Sequence, residues 1–221
     1  MRVYHLTSAE HALSNVALKR LKISQLDDLN DPFELQALNL GSKKDLRKAL
    51  AGWKKALSET KGLLCFSKNW RNPVLWSHYA SRHKGICLGF ELADGLAKDV
   101  KYASDRLLQD AVKDTRDLEV NESLIQDLLY TKYEHWKYEE ETRVFVELDP
   151  KTVEHGCYFY NFSEQLRLRE VILGPLCEIP IDQVRALVEE LYDYRVFVSK
   201  SRLAFKWFKV VEDERFRTKV V

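Results

Sequence analysis

The stretch from residue 61 to residue 92 constrains the fold more than any other part of the chain. It begins and ends with short apolar runs, at residues 63–66 and 86–90, and each run has the length of a strand. Between them, Asn72 and Pro73 are typical of a helix start, because asparagine caps a first turn and proline there loses no hydrogen bond. The stretch therefore predicts a strand, a short helix and a second strand, which form either a piece of core or the wall of a pocket.

Two aromatic residues of the predicted helix bear on that choice. Trp76 and Tyr79 are three residues apart and therefore share a helix face. Aromatic residues at this spacing most often pack into a core. In the alternative interpretation their rings line a pocket and stack on a ring of the ligand.

The composition predicts one domain and excludes a strongly basic nucleic-acid-binding protein. The 221 residues include only 8 Gly and 5 Pro, with no linker-like tract, which indicates a single domain over residues 1–221. Charged residues make up 31% of the chain but nearly cancel, giving a net charge of +1. A uniform basic surface is therefore excluded, although a local basic cleft is not.

Hydropathy and cysteine spacing predict a cytoplasmic chain without a membrane partner. No apolar segment approaches the roughly 20 residues that span a bilayer, and the N-terminal residues do not have the pattern of a signal peptide. The four cysteines show no CxxC spacing and lie mostly in apolar runs. We expect them to be buried free thiols, as in a reducing compartment.

Strand-like and helix-like segments follow one another without the regular alternation of a doubly wound fold. A strand at residues 3–6 precedes a helix whose start is predicted by a capping box of Thr7 and Glu10, and residues 21–24 alternate as a second strand does. The polar residues 104–120 are predicted to be helical. This order predicts an α+β fold.

Polar residues that a plain core does not need occur near the N-terminus. Tyr4 and His5 are neighbours in the first predicted strand, so their side chains point to opposite faces, one inward and one toward solvent or a cleft. A lone histidine is more often structural than functional. Residues 30–34 contain Asp31 and Glu34, which either form a turn or supply carboxylates to a site.

A third polar group lies where a helical pattern changes to a strand pattern. Glu139, Glu141 and Arg143 alternate, so a strand that begins at Glu139 would place all three side chains on one face. Burying two carboxylates and a guanidinium requires partners or a ligand. The alternative is a mutual salt bridge on an exposed edge strand.

Four motifs together resemble a bacterial family, the domain of unknown function 2971. They are NDPFE at residues 30–34, WSHYA at 76–80, KGICLGFE at 84–91 and WxxExExR at 136–143. The resemblance extends from about residue 3 to residue 175, and it implies no particular activity.

The N-terminal segment also resembles DarT-type ADP-ribosyltransferases. Those proteins begin with a Tyr-His-Ile-Thr strand, a helix and a short second strand, which Tyr4-His5-Leu6-Thr7 and residues 21–24 match. The resemblance implies an ADP-ribosyltransferase-like split mixed or antiparallel sheet with flanking helices. It also implies NAD as cofactor, a macromolecular acceptor (nucleic acid or protein), and a toxin or anti-phage setting.

In that fold a first-strand histidine holds NAD, a middle strand shapes the nicotinamide pocket, and a glutamate on a later strand carries out the chemistry. The resemblance implies catalytic roles for Glu141, Glu139 and His5, and NAD-binding roles for Tyr4, His5, Ser67, Trp76, Tyr79, Lys84 and Arg143. Cleavage of the nicotinamide–ribose bond builds positive charge on the ribose, which a carboxylate stabilises. We expect Glu141 to do this rather than Glu139, because it lies nearer the strand. Arg143, Arg82 or Lys84 would suit the pyrophosphate.

Two other functions are compatible with the same residues. The first is a metal-dependent nuclease, in which Asp31, Glu34, Glu139 and Glu141 gather one or two Mg²⁺ ions. The second is a non-catalytic module whose pocket binds a small ligand or a partner.

Overall fold

The computed structural model describes residues 1–107 and 122–216. The helix predicted for residues 104–120 falls largely outside the described residues, and its first residues, 104–107, are not helical. The described part is a mixed α and β structure with a mixed parallel and antiparallel sheet, as the sequence predicts.

The strands are β1 (Arg2–Thr7), β2 (Arg20–Gln25), β3 (Lys61–Ser67), β4 (Ile86–Leu92), β5 (Lys98–Asp99), β6 (Lys101–Ala103), β7 (Thr131–Tyr133), β8 (Glu141–Glu147), β9 (Tyr158–Asn161), β10 (Leu166–Leu173), β11 (Phe197–Leu203) and β12 (Val210–Glu212). The α-helices are α1 (Ala9–Ala17), α2 (Lys44–Thr60), α3 (Pro73–Tyr79), α4 (Glu122–Tyr130) and α5 (Ile181–Leu191). Short 3-10 helices are Leu26–Asp28, Glu134–Glu139, Pro150–Thr152 and Glu214–Phe216.

Helix starts follow local side-chain chemistry. The Asn72 side chain accepts a hydrogen bond from the Val74 N–H at 2.9 Å, with Pro73 in the first turn of α3, as predicted. Helix α1 is capped by Ser8, which accepts from the His11 N–H at 3.1 Å, instead of by the predicted capping box starting at Thr7. Thr7 is the last residue of β1, so the cap moves one residue along the chain.

The main sheet has the strand order β12-β11-β10-β4-β1-β3-β2-β9, with β8 paired to β3 and β5 paired to β8. Strand β10 runs parallel to β11, and the other pairs of this sheet are antiparallel. A separate parallel pair joins β6 and β7.

Strands β1 and β3 barely touch. Within the described residues they pair at Tyr4 and Ser67, whereas the beginning of β3 pairs with β2 at Gly62 and Leu63. One edge of β3 pairs with β8 along its whole length, but between these points its other edge has no described strand beside it. A backbone carbonyl there needs another donor, and the Cys65 carbonyl receives one from the His5 side chain. The sheet therefore opens between β1 and β3.

The apolar side chains form a main core and smaller clusters. Helices α1 and α5 cover one face of the sheet, where Val16 and Val184 belong to the same buried cluster as Val3 and Phe90. On the opposite side, Trp76 of α3 is fully buried, in a second cluster. The described residues contain no helix long and apolar enough to cross a bilayer.

The four cysteines are free thiols, as predicted. Cys87 and Cys177 are buried, and Cys65 and Cys157 are partly buried.

Candidate functional site

A cleft of about 230 Å³ lies where the sheet opens. It is lined by residues of β1, β2, the turn after β2, β3, α3, β7 and β8. The polar lining residues are Tyr4, His5, Ser24, Asp28, Asn30, Glu34, Ser67, Tyr79, Lys132, Glu139, Glu141 and Arg143. They come from distant parts of the sequence, so the tertiary fold assembles the site.

The centre of the lining is an ion pair between Arg143 and Glu141 of β8. Arg143 Nε donates to Glu141 Oε1 at 2.8 Å, and its Nη2 donates to Glu141 Oε2 at 3.0 Å. The register of β3 and β8 pairs Cys65 with Arg143 and Ser67 with Glu141, so these four side chains share the cleft face of the sheet. The predicted common face of Glu141 and Arg143 is therefore present, but it is buried, not an exposed edge.

Arg143 has two further hydrogen-bond acceptors. Its Nη1 donates to Glu34 Oε1 at 2.6 Å and to the Leu129 carbonyl at 2.8 Å. The side chain is only 1% exposed. Burial alone would lower the pKa of Arg143, but Glu141 and Glu34 raise it well above its ordinary value, so the guanidinium is a permanent cation.

Lys132 of β7 is a second buried cation, and it is not among the site residues predicted from the sequence. Its Nζ donates to Glu139 Oε2 at 2.7 Å and to Glu141 Oε2 at 3.2 Å. Burial acts to lower the pKa of Lys132, but Glu141 and Glu139 raise it. The available signal was weak: a single lysine between Tyr130 and Trp136, in a segment predicted to be one helix.

Glu139 joins the cluster by a different route from the predicted one. Strand β8 begins at Glu141, and Glu139 ends a 3-10 helix. Between them Glu140 adopts a left-handed conformation, with φ of 45°. This turn of the chain, not strand alternation, brings the Glu139 side chain beside Lys132.

Glu139 also receives a hydrogen bond from Tyr79. The Tyr79 hydroxyl donates to Glu139 Oε1 and accepts from Asn30 Nδ2, the latter at 2.7 Å. Burial raises the pKa of Glu139, and the contacts with Lys132 and Tyr79 offset this only in part. Burial would also raise the pKa of Glu141, but Arg143 and Lys132 outweigh it and hold that pKa below its ordinary value. The two carboxylates are therefore electrostatically distinct.

His5 lies at the opening between the strands. Its Nδ1 is 3.3 Å from the Cys65 carbonyl oxygen. A carbonyl only accepts, so Nδ1 carries the proton and Nε2 of the neutral ring is an acceptor. Burial lowers the pKa of His5, which favours this neutral form.

The charges of the cluster do not cancel. Glu34, Glu139 and Glu141 face two cations, Arg143 and Lys132, so the fully ionised cluster has one excess negative charge. Tyr102 contributes no charge at neutral pH, because burial raises its pKa to about 12, and its oxygen accepts from the Glu141 N–H at 2.8 Å. Excess negative charge beside a cleft favours a ligand that carries or develops positive charge.

Most of the predicted site residues meet at the cleft. Those that line it are Tyr4, His5, Ser67, Tyr79, Glu139, Glu141 and Arg143. The other two predicted residues, Trp76 and Lys84, lie away from it. Trp76 is 0% exposed and its indole N–H donates to the Trp70 carbonyl at 2.6 Å, because its side of α3 faces the core. Lys84 is exposed on the turn before β4 and is not part of the lining.

The four carboxylates predicted for a metal site are not arranged as ligands. Glu34 and Glu141 bind Arg143, and Glu139 binds Lys132. Asp31 is buried, and one of its oxygens accepts from the Phe33 N–H at 2.9 Å. Across residues 1–107 and 122–216, no group of three or more His, Cys, Asp or Glu side chains is arranged to hold a metal ion.

Of three comparisons with known proteins, one finds a match, and it lies in the central part of the chain. Neither the curated proteins nor the solved structures include a significant match. The resemblance to DarT-type enzymes therefore stays a prediction. Residues 75–144, which run from α3 to β8, match the family described as "Protein of unknown function (DUF2971)", and this match supports the first of the two resemblances.

Proposed function

We propose that the cleft binds the nicotinamide end of NAD and that the chain is an ADP-ribosyltransferase-like enzyme acting on a macromolecule. The observation that carries the proposal is the convergence of His5, Tyr79 and the Glu139–Glu141 pair on one cleft at an opening in the sheet. These are the groups that the resemblance assigns to NAD binding and catalysis. The toxin or anti-phage setting rests on the resemblance alone.

The size and charge of the cleft support one end of NAD as the occupant. A volume of about 230 Å³ is below the roughly 300–1,000 Å³ typical of drug-sized ligands. It suits a single ring with its sugar, and the remainder of the dinucleotide would extend into solvent. The nicotinamide ring of NAD is cationic, and its departure leaves positive charge on the ribose. The excess negative charge of the cluster stabilises both.

Hydrogen bonding favours Glu139, in place of the predicted Glu141, as the carboxylate that faces the ribose. A carboxylate offers about four lone-pair sites. Three of those of Glu141 are taken, by two Arg143 nitrogens and by Lys132, so that Arg143 engages both of its oxygens. Among the described residues, Glu139 accepts only from Tyr79 and Lys132. We therefore assign the contact with the ribose to Glu139, and we assign Glu141 to positioning Lys132 and Arg143.

The other residues have roles that follow from their contacts. Tyr79 and Asn30 orient Glu139. The Asn30 amide donates to the Tyr79 hydroxyl, and that hydroxyl donates to the Glu139 carboxylate. The His5 Nε2 is available to accept a hydrogen bond from a ligand hydroxyl or amide. Arg143 donates to Glu141, Glu34 and the Leu129 carbonyl, so we assign it to holding the cluster together and not to the pyrophosphate.

The two alternatives are less well supported. A nuclease needs carboxylates free to bind Mg²⁺, whereas Glu34, Glu139 and Glu141 are each paired with a buried cation. A non-catalytic binding module is compatible with the cleft and differs from the proposal only in turnover. The enzyme releases nicotinamide from NAD, whereas a non-catalytic module binds NAD without releasing nicotinamide.

NAD is expected to stabilise the chain in a thermal unfolding experiment. A ligand that binds only the folded state, at about 100 times its Kd, stabilises by about 2.7 kcal/mol. For a chain of this size that corresponds to a rise of about 5–10 °C in Tm. Mg²⁺ alone is expected to change Tm little, because Glu34, Glu139 and Glu141 are each already paired with a buried cation.

Tyr79→Ala and His78→Ala form a matched pair for this measurement. The two residues are adjacent in α3, but only Tyr79 lines the cleft. Tyr79→Ala should abolish the NAD-dependent rise in Tm, and His78→Ala should keep it. A rise with Mg²⁺ and none with millimolar NAD would favour the nuclease instead.

A further inference from the structure

The hairpin between β11 and β12 exposes three aromatic rings. Among the described residues, Phe208 (100%), Phe205 (92%) and Trp207 (69%) are the most exposed of the large apolar side chains. They occur within the four residues 205–208. Scattered exposed apolar residues are normal, but a contiguous group marks an interaction surface.

The base of this aromatic hairpin is fixed to the protein. Val210 is fully buried and its N–H donates to the Arg71 carbonyl at 2.8 Å. The Ser201 hydroxyl donates to the Leu173 carbonyl at 2.7 Å. At the tip, the Ala204 N–H donates to the Lys209 carbonyl at 2.9 Å. The rings are therefore presented by an anchored turn and are not covered by the described part of the chain.

Basic residues alternate with the aromatic ones. Arg202, Lys206 and Lys209 lie in the hairpin, and residues 201–211 contain no Asp or Glu. The Arg202 guanidinium carbon lies 4.7 Å from the centre of the Phe205 ring. In a chain with a net charge of only +1, this local cationic charge is complementary to an anionic surface.

We propose that the aromatic hairpin inserts into the interface of an anionic lipid bilayer. Tryptophan and phenylalanine rings suit the boundary between headgroups and acyl chains. Lysine and arginine at the same depth reach lipid phosphates. The sequence predicted no membrane partner because it has no spanning segment, but a surface contact does not need one. This inference is independent of the proposed NAD site.

Two other occupants fit the geometry less well. A single-stranded nucleic acid is usually held in a basic groove, whereas the rings stand on a convex tip. The nearer strand of the hairpin, β11, also lies three strands from β1, about 14 Å at roughly 4.8 Å per strand, so a nucleic acid bound at the hairpin is separated from the cleft. A symmetric contact between two copies through this hairpin would bring Lys206 and Lys209 of both copies into one interface, where like charges repel.

The test is flotation of the purified chain with vesicles of phosphatidylcholine, with and without phosphatidylglycerol. We expect binding to the anionic vesicles, weakened by high salt, and a blue shift of tryptophan emission on binding. Trp207→Ser with Phe208→Ser should reduce partitioning at least about tenfold. Lys206→Gln with Lys209→Gln should remove the preference for anionic lipid.

Leu176→Ser is the matched control, because Leu176 is an exposed apolar residue outside the hairpin. It should partition like the wild type, and all variants should keep the wild-type Tm. Absence of vesicle binding, or equal binding by the Trp207→Ser Phe208→Ser variant, would overturn the proposal. So would anisotropy showing that the hairpin binds oligothymidylate or polyuridylate but not vesicles, or light scattering showing a dimer that the double variant abolishes.

Discussion

Arg143→Met is expected to lower the free energy of unfolding by about 3–5 kcal/mol, because it leaves buried carboxylates without their cation. Arg143 is the sole side-chain cation within ion-pair distance of Glu34 in the described residues and the bidentate partner of Glu141. Methionine fills similar space but offers no donor. Urea unfolding followed by tryptophan fluorescence measures the change as a shift in midpoint.

Lys61→Met is the matched control for this experiment. Lys61 and Glu147 form an ion pair between the same two strands, β3 and β8, but at the exposed end. Loss of this ion pair should lower the free energy of unfolding by at most about 1 kcal/mol. Adding Glu141→Gln to Arg143→Met should recover part of the lost stability, because one uncompensated charge is removed. If Arg143→Met lowered the free energy of unfolding no more than Lys61→Met does, Arg143 would not be the cation that stabilises the buried carboxylates.

Glu139→Gln is expected to reduce the rate of nicotinamide release from NAD by about 10²-fold or more. Glutamine keeps the shape and accepts from Lys132, but it removes the charge that faces the ribose. The interaction is strongest when positive charge develops, so binding of NAD should stay within a few-fold of wild type. Nicotinamide release under saturating NAD and calorimetric titration of NAD measure the two quantities.

Glu140→Gln makes the same chemical change one residue away. Its side chain is exposed and accepts from Asn69 Nδ2 at 2.9 Å, outside the cleft lining. It should retain wild-type turnover. Glu141→Gln should lower stability as well as turnover, because Glu141 holds both Arg143 and Lys132. Equal turnover by Glu139→Gln and wild type would remove Glu139 from catalysis.

Features that depend on near neighbours could be predicted from the sequence. The cap by Asn72, the strands on either side of α3 and the common face of Glu141 and Arg143 follow from spacing and side-chain type. From the residues alone a pocket is one of two interpretations of the stretch around α3, and only the resemblance assigns residues to it. No local pattern reveals that β1 and β3 meet at a single pair of residues.

Features that depend on distant partners could not be predicted in this way. Lys132 looks like a surface residue of a helix until β7 brings its ammonium group to Glu139 and Glu141. Trp76 and Tyr79 share a helical spacing, yet one is fully buried and the other reaches the cleft. Tertiary packing, which decides which part of a helix face is covered, separates them.

The binding position of NAD tests the account most directly. A crystal structure of the Glu139→Gln variant grown with NAD should contain the nicotinamide and its ribose between β1 and β3. The ring should lie against Tyr79, and a ribose hydroxyl should lie within hydrogen-bond distance, about 2.6–3.2 Å, of the residue 139 side chain. NAD bound elsewhere on the chain, or an empty cleft at millimolar NAD, would contradict the proposed function.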